Sequence, residues 1–567
     1  MPPPSALETK LSSSLISRDE RLIRRRLPDP NASITLSPPS SSSTTTSSSN
    51  ERLRGASNER LIDFTSNDYL SLSTFPHLRK LFLQKLTDAP DILGSGGSRL
   101  LVNGRAHSAF ETRLKEFFCG PTSPPSESTG SGSERTSGSG TFGRTATSNT
   151  STTAPAALLF NSGFDANVGF FSCIPQPGDA IVYDEYIHAS VHDGIRSSRV
   201  EKGLRRGFRH NDLGDLRRVL QELKGYRPHP PYHTGTGERA EGPFASGTSS
   251  IFVSVESLYS MDGTFSPLKS ISDILEEMFP HGNAYLIVDE AHATGIYGPQ
   301  GRGRVAELGL EGKVLARLHT FGKALAATGA VIITTELIRD YLLNYARSLI
   351  YTTSLSYANI IAADASFDLL MDGTTESLSN HLLNLSYHLV STLLPHLESK
   401  KIPPRILSLP AHLLPSSSQS SHLLTTQQAR VKAHPADTPP PSPIIPLLTS
   451  LPRPLSSYLL SKGMNARPIT WPTVPKGKDR VRVCLHSGNT LEDVDTLVEG
   501  CVEWAVDVLR KEEAEENVEA KNRRGKRGAN VDSEESPGQG ISESVEVERG
   551  SRGLGERYVT LLLESKL

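Results

Sequence analysis

The chain has 567 residues, enough for more than one domain and a large core. Its 60 basic and 62 acidic side chains nearly cancel, so no overall field draws it to nucleic acid or to an anionic membrane surface. No uncharged apolar run reaches the ~20 residues of a membrane helix, which predicts a soluble protein with no membrane insertion.

Met1 to Arg26 has arginines and serines but no apolar signal core, and its acids Glu8, Asp19 and Glu20 disfavour a mitochondrial presequence. Serine and threonine dominate 37–50, glycine, serine and threonine 121–153, and proline, serine and threonine about 415–443. Such compositions bury too little apolar surface to offset chain entropy, so a linker and two surface insertions are expected. The runs Ala156–Phe160, Ala180–Tyr183, Ile251–Val255, Tyr285–Val288 and Ala330–Thr334 read as strands buried on both faces. Helical patterns lie between them, for example Asp212 to Leu223 and Leu268 to Met278. The alternation predicts an α/β domain with a mostly parallel sheet covered by helices. Beyond Ser348 a long helical stretch (Ala358 to Leu370, then Ser377 to Leu397) leads into a smaller C-terminal α/β domain ending near Leu509.

The predicted organisation is an N-terminal segment (1–36), a linker (37–58), a large domain (59–347), a small domain (348–510) and a flexible tail (511–567). The tail closes on Ser565-Lys566-Leu567, the tripeptide of a peroxisomal address, which would engage the peroxisomal import receptor. Four cysteines at scattered positions predict reduced thiols rather than a disulfide framework. The 17 histidines form no HExxH or similar ligand set, and no metal is expected.

Ligands of open α/β sheets gather at the carboxyl ends of the strands. Polar clusters fall at those ends here: Asn161-Ser162-Gly163, Asp184 to His188, Glu256 to Ser260, and Asp289. Asp289 closes an apolar run, His292 follows three residues on, and Lys323 comes after the next run. Such a set suits a pyridine aldehyde, pyridoxal phosphate, with the carboxylate on the ring nitrogen, the histidine near the ring and the lysine holding the aldehyde as a Schiff base. Ser162-Gly163-Phe164 opens a probable helix whose N–H groups would receive a phosphate, with the Thr320 hydroxyl near the same place. His188 suits a residue stacked over the ring. Arg482 lies alone in an apolar strand-like run, where a charge needs a partner such as a substrate carboxylate. The run Arg24-Arg25-Arg26 would suit a carboxylate or the phosphates of coenzyme A.

These motifs, with Ser66-Asn-Asp-Tyr-Leu70, Gly94-Ser-Gly-Gly-Ser-Arg99, Phe208-Arg-His-Asn-Asp212, Glu256-Ser-Leu-Tyr-Ser-Met-Asp-Gly263, Val288-Asp-Glu-Ala-His-Ala-Thr-Gly295 and Thr320-Phe-Gly-Lys323, resemble the α-oxoamine synthase family, pyridoxal-phosphate acyltransferases of fold type I. The resemblance runs from about Asp63 to Gly329 and resumes at Tyr341 to Tyr357 and Val474 to Val498. It implies decarboxylative condensation of an amino acid with an acyl-CoA. Lys323, His188, Asp289 and His292 become the catalytic set. Ser162, Gly163, Phe164, Glu256, Ser260 and Thr320 join them on the cofactor, and Asn67 and Ser260 line the substrate side. Arg482 would hold the amino-acid carboxylate, and Arg25 would reach the acyl substrate. Thr352 and Thr353 match a segment that reaches the phosphate of a neighbouring subunit, which implies a homodimer with shared sites. Arg24 to Pro28, Ile350 to Thr353 and Trp471 to Pro475 favour the branch that joins L-alanine to pimeloyl-CoA. Glycine with acetyl-CoA, or an amino acid with a fatty acyl-CoA, is the alternative. Two stretches differ from the family: Leu485-His-Ser-Gly-Asn489 stands where small residues and then a histidine are usual, and Ser354-Leu-Ser-Tyr-Ala358 lacks the usual proline pair.

Overall fold

The computed structural model describes residues 5–21, 24, 61–120, 154–227, 241–414 and 440–529. Arg25 and Arg26, the linker, the stretch 121–153, most of 415–443 and Ser565 to Leu567 lie outside the described residues. The strands, in chain order, are β1 (Ile62–Asp63), β2 (Pro155–Phe160), β3 (Ala180–Asp184), β4 (Arg205–Phe208), β5 (Ile251–Glu256), β6 (Ala284–Asp289), β7 (Val314–Thr320), β8 (Ala330–Thr335), β9 (Ile444–Leu448), β10 (Met464–Asn465), β11 (Arg467–Ile469) and β12 (Arg480–Cys484).

Seven of them form one sheet in the order β2-β8-β7-β6-β5-β3-β4. β4, β3, β5, β6 and β7 run parallel, and β8 is antiparallel to both neighbours, β2 and β7. Every residue of β5 is buried, because helices cover both faces. One core packs β3, β5 and β6 against helices Gly163–Cys173, Leu213–Lys224 and Leu268–Met278. A second packs β2 and β8 against helices Arg105–Cys119 and Tyr357–Met371. Each fully buried Val, Leu, Ile or Phe contributes about 1.5–3 kcal/mol to this arrangement.

The small domain is a three-stranded antiparallel sheet, β11-β12-β9, backed by helices Thr374–Ser399, Pro452–Ser461 and Leu491–Ala529. Three boundaries differ from the sequence reading. Residues 61–70 attach to the small domain rather than the large one: β1 pairs with β10, the Cys484 N–H donates to Phe64 O (2.9 Å) and the Ser487 N–H to Tyr69 O (2.8 Å). The last helix continues to Ala529, past the tail boundary at 511, since Glu, Lys, Arg and Ala are strong helix formers and pairs such as Lys511–Asp507 (2.7 Å) support an exposed helix. The third interruption ends before Pro441, whose carbonyl accepts the Tyr297 hydroxyl at 2.7 Å, and Ser442 is buried. Near the N-terminus, helix Ala6–Glu20 buries no residue, and Arg24 pairs with Asp19 at 2.5 Å. Among the described residues no helix is long and apolar enough to cross a membrane, and all four cysteines are free.

Candidate active site

Asp289 stands at the carboxyl end of β6 with an accessibility of 8%. Its Oδ1 accepts the Ala291 N–H (2.9 Å) and its Oδ2 accepts Asn167 Nδ2 (2.8 Å). His188 caps helix Ala189–Ser197, with Nδ1 2.7 Å from Ser190 Oγ, and exposes its ring to the cleft. Its pKa lies below the usual histidine value, chiefly through the walls around it and secondarily through Lys323, against an upward pull from Asp289.

Lys323 follows β7 on the turn from Phe321 to Gly329, which is closed by the Phe321 N–H donating to Gly329 O at 2.9 Å. Burial lowers its amine pKa, opposed by Asp289 and Glu256 and helped by Arg482. His292 is buried, with Nδ1 2.7 Å from the Tyr69 hydroxyl. Burial first, then the Lys323 and Arg482 cations, hold its pKa well below the usual range.

The phosphate end is built by helix Gly163–Cys173. Ser162 caps it, accepting the Asp165 N–H (3.1 Å) and donating to the Asp165 carboxylate (2.7 Å), so its hydroxyl serves the cap. The Gly163 and Phe164 N–H groups have no acceptor among the described residues. A Cβ at Gly163 would meet Thr320 Cγ2 at 2.5 Å, so only glycine lets β7 approach this helix start. Thr320 Oγ1 is buried and without a partner. Orphaned Thr320 Oγ1, free N–H groups at a helix start and a charged acceptor at Asp289 fit pyridoxal phosphate.

Arg482 lies on β12 at 8% accessibility, with Asn67 and Tyr69 alongside. Its Nε donates to Ser260 O (2.6 Å) and its Nη2 to Asn67 Oδ1 (3.0 Å) and Tyr69 Oη (3.4 Å). Nη1 has no acceptor among the described residues, leaving a donor for a carboxylate. Glu256 closes β5 beside Asp289, and its Oε1 has no partner.

The fold therefore gathers Asn67, His188, Glu256, Ser260, Asp289, His292, Thr320, Lys323 and Arg482 around one cleft. Thr352 and Thr353 lie against Asn161 of the same chain, whose Nδ2 donates to Thr353 O (2.6 Å) and Thr352 Oγ1 (3.4 Å). Thr353 is exposed, as a residue reaching outward would be. The sequence reading gave no role to Asn167, Ser190 or Tyr69. Asn167 was legible as the residue one helical turn beyond Gly163, on the same face. Tyr69 was part of a quoted motif, but its bonds to His292 and Arg482 span more than 200 residues. No group of three His, Cys, Asp or Glu among the described residues is placed to hold a metal.

Residues 59–500 match the model of the aminotransferase class I and II family. An 8-amino-7-oxononanoate synthase of Emericella nidulans is 39% identical over 506 residues, covering 88% of this chain and 96% of that protein. An aminoacyl transferase sphA of Aspergillus fumigatus is 35% identical over 460 residues, 80% of this chain and 83% of that protein. Among solved structures, a serine palmitoyltransferase of S. paucimobilis superposes with a TM-score of 0.56 at 21% identity, covering 78% of this chain and 88% of that one. The 8-amino-7-oxononanoate synthase of Francisella tularensis gives 0.51 at 22% identity, covering 78% and 97%. The last two bear on the fold.

Proposed function

The chain belongs to the aminotransferase class I and II family, as a pyridoxal-phosphate-dependent α-oxoamine synthase, and we propose that it joins L-alanine to pimeloyl-CoA with release of CoA and carbon dioxide, giving 8-amino-7-oxononanoate. The observation that carries the reaction class is Arg482, a buried guanidinium with one uncommitted donor beside Lys323 and His292. The relative from Emericella nidulans supports the choice of substrates, since similarity extends over 96% of its length.

Bound pyridoxal phosphate supplies the electron sink and carbonyl of this chemistry. Lys323 provides an amine whose pKa is lowered by burial, so that Nζ releases its proton more readily and can accept and return one. Arg482 fixes the carboxylate of the amino acid and so orients its Cα–H. Asp289 would hold the ring nitrogen by a hydrogen bond, and His292, whose lowered pKa favours the neutral ring, would offer one to the ring oxygen.

The protein acts as a homodimer, with Thr352 and Thr353 offered to the partner's site, and Ser565 to Leu567 direct it to the peroxisome. A second reading changes only the substrates, to glycine with acetyl-CoA or an amino acid with a fatty acyl-CoA, and the sphA relative at 35% identity favours the latter. Coenzyme A release with L-alanine, glycine or L-serine, each with pimeloyl-, acetyl- or palmitoyl-CoA, decides between them. Alanine with pimeloyl-CoA is expected to dominate, and activity with palmitoyl-CoA alone would sink the reading. Loss of organelle import on deleting the last three residues checks the address.

A further inference from the structure

His188 is joined to Asp289 through two buried side chains, Asn167 and Ser190, with accessibilities of 5% and 0%. Asn167 Nδ2 lies 2.8 Å from Asp289 Oδ2 and 3.0 Å from Ser190 Oγ. A carboxylate can only accept, so the amide must present its nitrogen to Asp289. Both N–H bonds of the amide are then used, and Ser190 Oγ is an acceptor. The Ser190 hydroxyl proton is free to point at His188 Nδ1, 2.7 Å away, and the Ser190 backbone N–H reaches the same nitrogen at 3.2 Å. A ring nitrogen that accepts two donors carries no proton of its own.

We propose that Asn167 and Ser190 are positioning residues which, anchored on Asp289, hold His188 as the tautomer protonated on Nε2, so that His188 acts as a hydrogen-bond donor toward the substrate. Nε2 lies on the ring edge away from this network and has no partner among the described residues. The inference rests on the reaction class given above: an oxygen of the bound substrate gains negative charge as a carboxyl group leaves, and a fixed donor at Nε2 stabilises that charge. Exclusion of water from Asn167 and Ser190 strengthens each bond in the chain and disfavours exchange of partners. The lowered pKa of His188 keeps the ring neutral, the state in which a tautomer is defined.

The test is ¹⁵N NMR of the holoenzyme labelled with ¹⁵N-histidine, the His188 signals being assigned by their loss in His188→Gln. A protonated Nε2 and a bare Nδ1 are expected at neutral pH. A proton on Nδ1 in the wild type overturns the proposal. In parallel, Asn167→Ala and Ser190→Ala are expected to lower kcat at least about tenfold while the KM for the amino acid stays within about twofold. Ser190→Ala removes one oxygen and leaves the backbone intact, so it is the variant read if Asn167→Ala loses its cofactor. A kcat unchanged in Ser190→Ala also overturns the proposal. The tautomer is measured without any acyl-CoA, so a mistaken substrate leaves this result standing, and a mistaken tautomer leaves the substrate assay standing.

Discussion

Glu256 and Asp289 are in-register partners across β5 and β6, the last residues of two neighbouring buried strands. Two carboxyl groups at 3% and 8% accessibility cannot both hold a negative charge cheaply. The hydrogen bonds around the two differ. Asp289 collects the Asn167 amide and the Ala291 N–H, whereas Glu256 Oε1 has no partner. Burial, and then Asp289 itself, push the Glu256 pKa well above the ordinary carboxylate range. Burial thus favours the neutral form of Glu256.

The corresponding amide substitutions should therefore part sharply. Glu256→Gln replaces a neutral acid by a neutral isostere and is expected to keep cofactor and kcat within about threefold. Asp289→Asn removes the charge that faces the ring nitrogen and is expected to lower kcat by roughly 100-fold or more. Steady-state kinetics with cofactor absorbance checks both, and equal losses would reverse the assignment.

Arg482 is a fork rather than a point charge. Nε and Nη2 are fixed by Ser260 O, Asn67 and Tyr69, so the remaining donor is aimed by the plane of the guanidinium. Arg482→Lys keeps the charge and loses that plane. The KM for the amino acid is expected to rise about tenfold or more, with a smaller change in the KM for the acyl-CoA, read from saturation curves with one substrate varied at a time.

The contrast between legible and hidden parts of this site follows from distance along the chain. Asp289, His292 and Lys323 lie within 35 residues, each tied to a strand end by the apolar run before it, and so were readable in the sequence. β4 went unread because Arg205 and Arg206 interrupt its alternation. The bounds of β7 were obscured by Arg317, which is buried and donates to Phe118 O at 3.2 Å, a partner 199 residues away. The antiparallel course of β8 leaves no mark on composition. Likewise the placement of 61–70 on the small domain depends on backbone bonds to β10 and β12.

His486 shows what the departure from the family pattern builds. Its Nδ1 lies 3.0 Å from Asp63 O and its Nε2 3.0 Å from Ser66 Oγ, while Asn489 Oδ1 accepts the His486 N–H at 2.9 Å. Asp63 Oδ1 in turn accepts the N–H groups of Thr65 (2.7 Å) and Ser66 (3.2 Å). The turn that carries Asn67 to Arg482 is thereby held from both sides. His486→Ala removes the ring that joins Asp63 O to Ser66, so a stability loss of about 1–3 kcal/mol is expected, with a several-fold rise in the KM for the amino acid. His486→Gln, which can still reach Ser66, should recover part of both. Thermal unfolding and saturation kinetics provide the readout, and a KM equal to that of the wild type in His486→Ala would separate this clamp from the substrate side.

His319 gives a pH prediction with a defined sign. The ring is fully buried and stacked on Phe118 at a centroid distance of 3.9 Å. Thr294 Oγ1 donates to Glu290 O (2.7 Å), so it must accept from His319 Nδ1 (2.9 Å), and Nε2 is left without a partner. Burial, aided by Arg317, holds the His319 pKa well below 6.5. Below that value the unfolded chain takes up a proton that the folded one refuses, so stability falls as pH falls, by about 1.4 kcal/mol per pH unit. His292 acts with the same sign. Glu256 and Glu290, whose raised pKa values let the folded chain keep protons that the unfolded one has lost, act with the opposite sign. The net profile therefore mixes these groups, and a difference measurement isolates one. His319→Asn retains a donor for Thr294 and removes the titration. The difference in unfolding free energy between wild type and variant, from urea titrations, should be flat above about pH 7 and fall against the wild type by about 1.4 kcal/mol for each unit below about 6.5. A difference independent of pH across that range would mean that His319 takes up its proton in the folded state.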